Sequence, residues 1–449
     1  KKLGCYVIAV DANPEAFCVD IVDRFEKIDL EDIPSLVKFA KELYCDGGLS
    51  GAFTAATDFS ASVASITSAL NLKGHSLEAS LNASDKSRMR AKFLQYGIPS
   101  PKFVEIEHEA FSHDILSSLS YPLVVKPVDS MGARGCVLVH DDTNIVEAIQ
   151  KATMFSRSKR VIVEEFIEGP EFSIEGLVFD GKVYITALAD RHIFFSPYFV
   201  EMGHTIPSIY PNEITNQIVN VFVEGVKALG LTHGACKGDI FFDVNKKQAV
   251  IGEIAARLSG GYMSGWTVPY SSNINITRLA LKLALGEKIE EDIPFPTKDN
   301  TSKFASERAW ISIPGVVDKI IGLKEAQDSS SVKDIFSRIK EGRTVVFPKN
   351  NVEKCGNVIS VSDSYENSIL ASKDAIKKIF LRLKPKNKET DDFLYSFNDS
   401  FINQELYPPN YFVFSDIKNS SLTDVLALSN FVIEDDIVYP LSFKDYLDF

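Results

Sequence analysis

Apolar residues run unbroken over residues 6–10 (YVIAV) and end at Asp11, as in a buried parallel strand with an acidic residue at its carboxyl end. Residues 33–44 carry helical spacing, residues 51–55 (GAFTA) predict a weaker strand, and residues 59–70 are helical again. Strand and helix in alternation predict a doubly wound α/β unit. Such a unit opens with a strand and a glycine-rich turn. Neither is present here, so a first strand and part of a helix are expected ahead of residue 1. The segment 82–86 (NASDK) then predicts a helix start with Asn82 or Ser84 as cap, and 97–101 (GIPSP) ends that helix. Residues 103–105 read as a short strand. Residues 121–128 (YPLVVKPV) read as an apolar strand interrupted by Lys126, and 136–139 as its hairpin partner after the small-residue loop 129–135 (DSMGARG).

Residues 145–152 predict a helix. Residues 161–176 (VIVEEFIEGPEFSIEG) predict a strand, an extended linker and a second strand, on which Glu171, Ser173 and Glu175 share one face by the two-residue period. Residues 183–187 follow a Gly-Lys turn. Residues 194–208 (FFSPYFVEMGHTIPS) show no period and predict a loop. Residues 213–229 form an amphipathic helix that feeds a β-hairpin within 234–261. Its arms are 240–242 and 249–251, and a three-residue turn at 245–247 sets Asp239 opposite Glu253. A helix is expected at 274–285. Beyond residue 301 come strands at 309–313, 316–322, 342–347 and 356–361 and a helix at 364–381, a small α+β lobe. Residues 383–388 read as a linker. The tail is aromatic in patches such as 411–414 (YFVF) and carries no functional signal, and no internal repeat is seen.

Composition narrows the class. A chain of 449 residues holds two to four domains and buries a large core. A net charge of −13 argues against a general nucleic-acid binder, which would show a basic face. No apolar run is long enough to span a bilayer, and the start has no signal-peptide pattern, so no membrane partner is expected. The six cysteines are scattered without a C-x-x-C pair, which fits reduced thiols in a cytoplasmic protein, Cys236 being read as a small buried thiol.

Facing carboxylates repel unless a cation lies between them. Asp239 and Glu253 therefore suit a nucleotide-borne Mg²⁺, which takes one or two carboxylates plus phosphate oxygens. A hairpin with a wet acidic face is the alternative. Lys126 in an apolar strand must snorkel, pair or meet an anion. The loop after it can offer backbone N–H groups to phosphates, although it is not a Walker A sequence. Lys86, Arg88, Arg90 and Lys92 crowd a helix N-terminus against its dipole, which a bound anion would offset and a solvated basic face would also explain. The backbone of the extended linker within 161–176 can hydrogen-bond an adenine edge and a carboxylate nearby can take ribose hydroxyls, with plain alternation on a half-solvated sheet as the alternative. A loop histidine such as His204 is more often surface or hydrogen-bonded than catalytic.

The order NASDK, VVKP with DSMGARG, EEFIEGPE and the acidic hairpin resembles the ATP-grasp superfamily over about residues 1–385. The resemblance implies an α/β and α+β multidomain chain. A non-catalytic N-terminal domain would occupy 1–82 and the ATP-grasp fold of two α+β lobes 83–300, with its lid lobe at about 115–187. A C-terminal lobe at 301–385 and an extension at 386–449 would follow. It implies that Lys86 and Lys126 contact ATP phosphates, with Lys126 also near the adenine. The 129–135 loop (Ser130, Met131, Gly132 and Gly135) would close over the phosphates. Glu164, Phe166 and Ile167, with Glu165 beside them, would hold the adenine, and Glu171 the ribose. Asp239 and Glu253 would bind Mg²⁺ (or Mn²⁺), and Arg257 would face the acyl phosphate or the substrate carboxylate, with Lys126 sharing the catalysis. Members often carry Asn two residues after the second metal carboxylate, and here that residue is Ala255, so water or another group must substitute.

The PYFVEMGHTIPS and EIAARLSGG segments look most like the L-amino acid ligase (dipeptide synthetase) and carnosine synthase branch. By that resemblance Glu201, His204 and Arg257 are substrate-side residues. The implied activity joins a carboxylate to an amine through an acyl phosphate, giving ADP and phosphate. The lobe after 301 also resembles that of glycinamide ribonucleotide synthetase and biotin carboxylase, so a purine-pathway or carbamoyl-phosphate-type ligase is an alternative. An ATP-binding regulatory protein with lost activity is the non-enzyme alternative. Members of the superfamily often dimerise, and no stripe in the sequence decides for or against a homodimer.

Overall fold

A computed structural model of the chain describes residues 1–46, 48–107, 112–289, 301 and 303–395, and the backbone of two further strands at 430–433 and 437–440. The 411–414 patch lies outside the described residues.

Two parallel strands, β1 (Ile8–Asp11) and β2 (Arg24–Lys27), lead into α1 (Ile33–Cys45) and α2 (Ser60–Ala69). The stretch 51–55 is not a strand. It lies flat on a later part of the chain, and a Cβ on Gly51 would sit 2.4 Å from the Ala284 carbonyl oxygen. Helix α3 (Leu77–Ser84) is capped by Ser76, and Asp85, in extended conformation, caps α4 (Lys86–Tyr96) by accepting from the Arg88 amide at 3.0 Å. Asn82 and Ser84 therefore lie inside α3 rather than at a cap. The Ser84 hydroxyl is spent on the Ser80 carbonyl, and Asp85 closes one helix with its backbone N–H and opens the next with its carboxylate.

The lid is an antiparallel sheet of β3 (Phe103–Glu107), β4 (Leu123–Pro127), β5 (Val137–Val139) and β6 (Arg160–Glu165) in the order β3-β6-β4-β5, backed by α5 (Ile145–Phe155). Leu123 and Val125 point into its core with Val137, Val161 and Val163, all with no exposed surface. The two-residue period sends Val124 and Lys126 to the opposite face, which answers the question of a lysine in an apolar strand.

Below the lid lies an eight-stranded sheet. Its strands are β7 (Glu171–Phe179), β8 (Lys182–Phe194), β9 (Val200–Ile206), β10 (Gly234–Asp243) and β11 (Gln248–Ala255), joined later by β12 (Phe304–Trp310), β14 (Val332–Ser337) and β16 (Gly356–Ser362). The order is β11-β10-β7-β8-β9-β12-β16-β14. Much of 194–208 is thus strand, not loop. β9 is covered on both faces and buries nearly every residue, so no apolar–polar alternation marks it. The chain beyond residue 301 adds three strands to this sheet, while β13 (Gly315–Ile321) pairs with β15 (Thr344–Val345) and β17 (Phe380–Leu383), and the strands at 430–433 and 437–440 pair with each other. Helix α6 (Asn212–Leu229) packs tightly on the hairpin of β10 and β11, where a Cβ on Gly225 would lie 2.4 Å from Ile251 Cδ1. Helices α7 (Val268–Ser272), α8 (Ile276–Ala284), α9 (Leu323–Gln327), α10 (Tyr365–Ile376) and α11 (Lys388–Tyr395) complete the described helices. No helix among the described residues is long and apolar enough to cross a membrane.

Candidate active site

Between the lid and the large sheet lies a cavity of about 410 Å³, within the range that holds a small ligand. A second space of about 330 Å³ adjoins it and shares Phe166, Glu171, Arg191, Ile193 and Phe199. Of the residues to which the resemblance assigns a nucleotide, metal or substrate role, all but Gly135 line the main cavity. Gly135 lies behind it, at φ +73°, where a Cβ would meet the Phe155 side chain at 3.0 Å.

The hairpin sets Asp239 directly opposite Glu253, but not by the expected route. The turn is four residues long, 244–247, which alone would offset the pair. A β-bulge restores it. Ile240 faces Ile251, Asp239 faces Glu253, and Gly252 is the extra residue. A side chain there would lie 2.5 Å from the Phe241 ring and 3.0 Å from the Asp239 carbonyl oxygen, so the bulge needs glycine.

Each carboxylate of the pair has cations beside it. Lys86 Nζ is 3.4 Å from Glu253 Oε2 and donates to the Ser130 carbonyl at 3.0 Å. Lys237 pairs with Asp239, and Arg191 Nη1 lies 3.3 Å from Asp239 Oδ1. Burial would raise both acids. The cations outweigh it and hold both at about 2: Arg191 and Lys237 for Asp239, Lys86 and Lys237 for Glu253. The pair is therefore ionised at neutral pH. No cage of three or more His, Cys, Asp or Glu side chains exists among the described residues. Two hard carboxylate oxygens with room beside them suit Mg²⁺ that completes its shell with phosphate and water. Ala255, where an amide ligand is often found, pairs across the strands with Lys237.

On the lid side, Lys126 Nζ is 2.6 Å from Glu164 Oε2, and Arg90 Nε is 2.7 Å from Glu164 Oε1. Arg90 also donates to the Gly252 carbonyl at 2.6 Å and is fully buried. The Glu164 carboxylate is thus committed to two cations, and only its backbone is left to serve an adenine. Glu165 accepts from the Ser120 amide at 3.1 Å. The Phe166 amide is bonded to the Pro122 carbonyl at 2.9 Å.

Arg191, near the end of β8, is one of the cations that sequence reasoning missed. It reaches Glu171 at 3.1 Å and Glu201 at 3.0 Å as well as Asp239, and its buried Nε has no hydrogen-bond partner among the described residues. Lys237, Asn351, Lys354 and Asp58 were also missed. Arg257 donates to Asp58 Oδ1 at 2.5 Å and to the Leu258 carbonyl at 3.0 Å. His204 is not in a loop. It is buried in β9, with Nε2 2.6 Å from Thr267 Oγ1 and Nδ1 3.4 Å from Glu307 Oε2.

Residues 119–265 match the family model of the ATP-grasp domain. These residues form an ATP-grasp domain. Residues 309–384 match a second model, L-amino acid ligase C-terminal domain 2. Among solved structures, the L-amino acid ligase of Bacillus licheniformis superposes with a TM-score of 0.72 at 24% identity, covering 85% of this chain and 94% of that one. A phosphoribosylglycinamide synthetase from Anaerococcus prevotii gives 0.65 at 21% identity, with 85% and 94% covered. At these identities the likeness is one of fold. Among curated proteins, the uncharacterised protein y4rH of Sinorhizobium fredii is 24% identical over 419 residues, 92% of this chain and 82% of that one. The C-terminal section of the carbamoyl phosphate synthase large chain of Methanocaldococcus jannaschii is 24% identical over 336 residues, 73% of this chain and 52% of that one. The chain therefore spans about half the length of that relative. Lys126, Asp239 and Glu253 on the cavity wall all fall within the ATP-grasp domain at 119–265.

Proposed function

We propose that the protein activates the carboxylate of an amino acid or similar acid as an acyl phosphate and joins it to an amine, probing one cavity with both substrates and ATP. The observation that carries this is convergence. Lys86 and Lys126, the Asp239–Glu253 pair and Arg257 surround a single space between lid and sheet. The match of 309–384 to the L-amino acid ligase C-terminal domain favours an amino acid over the other acids of the superfamily.

When bound, Mg²⁺-ATP supplies the phosphoryl group. Lys86 and Lys126 hold positive charge where phosphate oxygens gather, and the carboxylates of Asp239 and Glu253 are ready to bind metal at neutral pH. The 129–135 loop offers backbone donors above them. The adenine edge falls to the linker backbone at 165–167, since the Glu164 carboxylate is already paired. Glu171 is the ribose acceptor. Arg257 is aimed by Asp58 and steadies charge on the acid substrate. A carboxylate oxygen takes the phosphoryl group as ADP leaves, and the amine then displaces phosphate to form the amide.

The test is ADP release across amino acid pairs, set against phosphoribosylamine with glycine and against bicarbonate. ADP release stimulated by amino acid pairs, with a matching amide, is expected. Stimulation by one of the other substrates alone would overturn the amino acid reading. Glu253→Gln should abolish ADP release while the melting temperature stays near that of the parent, and near-normal turnover would sink the metal assignment.

A further inference from the structure

The turn 349–354, from the region beyond β15, reaches back into the cavity between lid and sheet. The Asn351 amide donates to the Gly132 carbonyl at 3.0 Å, at the crest of the 129–135 loop. Its side-chain Oδ1 accepts from the Glu201 amide at 2.7 Å. Arg338 donates to the Asn351 carbonyl at 3.2 Å. Lys354, buried in the same turn, donates to the Glu201 carbonyl at 2.6 Å. Val352 covers Gly132, where a Cβ would lie 3.6 Å from Val352 Cγ2.

The strand pairing explains why Glu201 is available. β12 pairs with β9 only as far as Gly203, opposite Arg308. The edge of β9 before Gly203 is left without a strand partner on that side, and buried backbone groups need partners. Asn351 and Lys354 satisfy both polar groups of the Glu201 peptide from one turn. The turn is also braced from within. Asn350 Oδ1 accepts from the Val352 amide at 2.9 Å, and Glu353 accepts from the Lys349 amide at 2.7 Å. A braced turn transmits a shift at one end to the other instead of absorbing it. The Glu201 carboxylate continues the chain of contacts to Arg191, and so to Glu171 and Asp239.

We propose that the turn 349–354 is a clasp, with Asn351 as a positioning residue that ties closure of the 129–135 loop to the setting of Glu201 on the substrate side. Closing the loop over the phosphates and ordering the Glu201–Arg191 pair are then one event. The consequence for the proposed ligase, on which this part rests, is that an acyl phosphate forms only in a site closed to water.

The geometry can be tested without any substrate. Hydrogen–deuterium exchange of the full chain is read in peptides spanning 129–135, with and without Mg²⁺-ATP, for the parent, Asn351→Ala and Asn351→Asp. Asn351→Ala removes the acceptor for the Glu201 amide and should speed exchange in 129–135 by about fivefold or more. Asn351→Asp keeps an acceptor oxygen and should restore most of the protection. Unchanged exchange in Asn351→Ala at an unchanged melting temperature overturns the clasp. If Asn351→Ala melts well below the parent, Val352→Ala, at an exposed position, replaces it and must also loosen the loop. The second reading is the ratio of ADP to amide formed, which should rise about threefold in Asn351→Ala as acyl phosphate is lost to water. A ratio held at the parent value overturns the link to chemistry. Failure of the parent to form any amide would count against the ligase reading alone, because the exchange result still decides the clasp.

Discussion

Glu171 differs from its neighbours in the cavity. Glu164, Glu201, Asp239 and Glu253 are all held below the usual carboxylate range, whereas burial pushes Glu171 up to about 7. The reason is division of charge: one guanidinium, Arg191, serves Glu171, Glu201 and Asp239 together, and the other two acids raise Glu171 further. A carboxyl raised from its ordinary 4.5 contributes stability that is present below 4.5 and lost as pH rises towards 7. Binding runs the other way, because an ionised carboxylate is the better acceptor for ribose hydroxyls. ATP should therefore bind about tenfold more tightly at pH 8 than at pH 6, one unit either side of that value. Glu171→Gln should flatten this dependence, and calorimetric titration in buffers of different ionisation enthalpy should show proton release on binding that the variant lacks. An equal pH dependence in parent and variant would remove Glu171 from the nucleotide site. Glu171 was legible because EEFIEGPE places an acid on the strand after a linker. Arg191 was not, since a single arginine at the end of a long strand becomes meaningful only when three acids from β7, β9 and β10 fold around it.

At the scale of elements, the spacing of the hairpin was readable and its construction was not. A three-residue turn and a four-residue turn with one bulge bring the same two acids together, and periodicity does not separate them. The telling residue is Gly252, next to Glu253 and pressed against the Phe241 ring and the Asp239 carbonyl. Gly252→Ala should cost about 1–3 kcal/mol by overpacking and move Asp239 and Glu253 out of register. The expected result is a lower melting temperature together with a weaker stimulation of ADP release by Mg²⁺. A variant that melts lower but keeps its Mg²⁺ dependence would show that the bulge serves packing alone. The same limit explains the misreading of 194–208. Apolar and polar positions alternate only where one face of a strand is wet, and β9 is covered on both. The lid strand β4 shows the opposite case, because its one polar position, Lys126, is legible as facing the cavity.

Across the whole molecule, the site draws on parts of the chain that the motifs do not mark. Asn351 and Lys354 line the cavity from beyond β15, and from the region ahead of α2 Ala56 lines it while Asp58 accepts from Arg257. Sequence separation hides such residues, since no local pattern links Asp58 to Arg257. On the role proposed for Arg257, their contact would give the N-terminal region a part in the chemistry. Arg257 is buried beside the cavity, and its Nε is fixed by Asp58 while Nη1 bonds the Leu258 carbonyl, so the guanidinium has little freedom to turn. Asp58→Asn keeps the shape of the partner and removes its charge. An arginine held by a neutral acceptor stays charged but is less firmly aimed. The expected outcome is a fall in kcat/KM for the acid substrate of about tenfold, which is about 1.4 kcal/mol, with the KM for ATP unchanged. Arg257→Lys should lose more, and adding Asp58→Asn to it should cost little further, because the lysine no longer presents the Nε that Asp58 holds. Such non-additivity is the mark of two residues acting through one contact. If the two substitutions instead add in full, or if the KM for ATP rises with Asp58→Asn, the N-terminal region acts through the fold at large and not through the aim of Arg257.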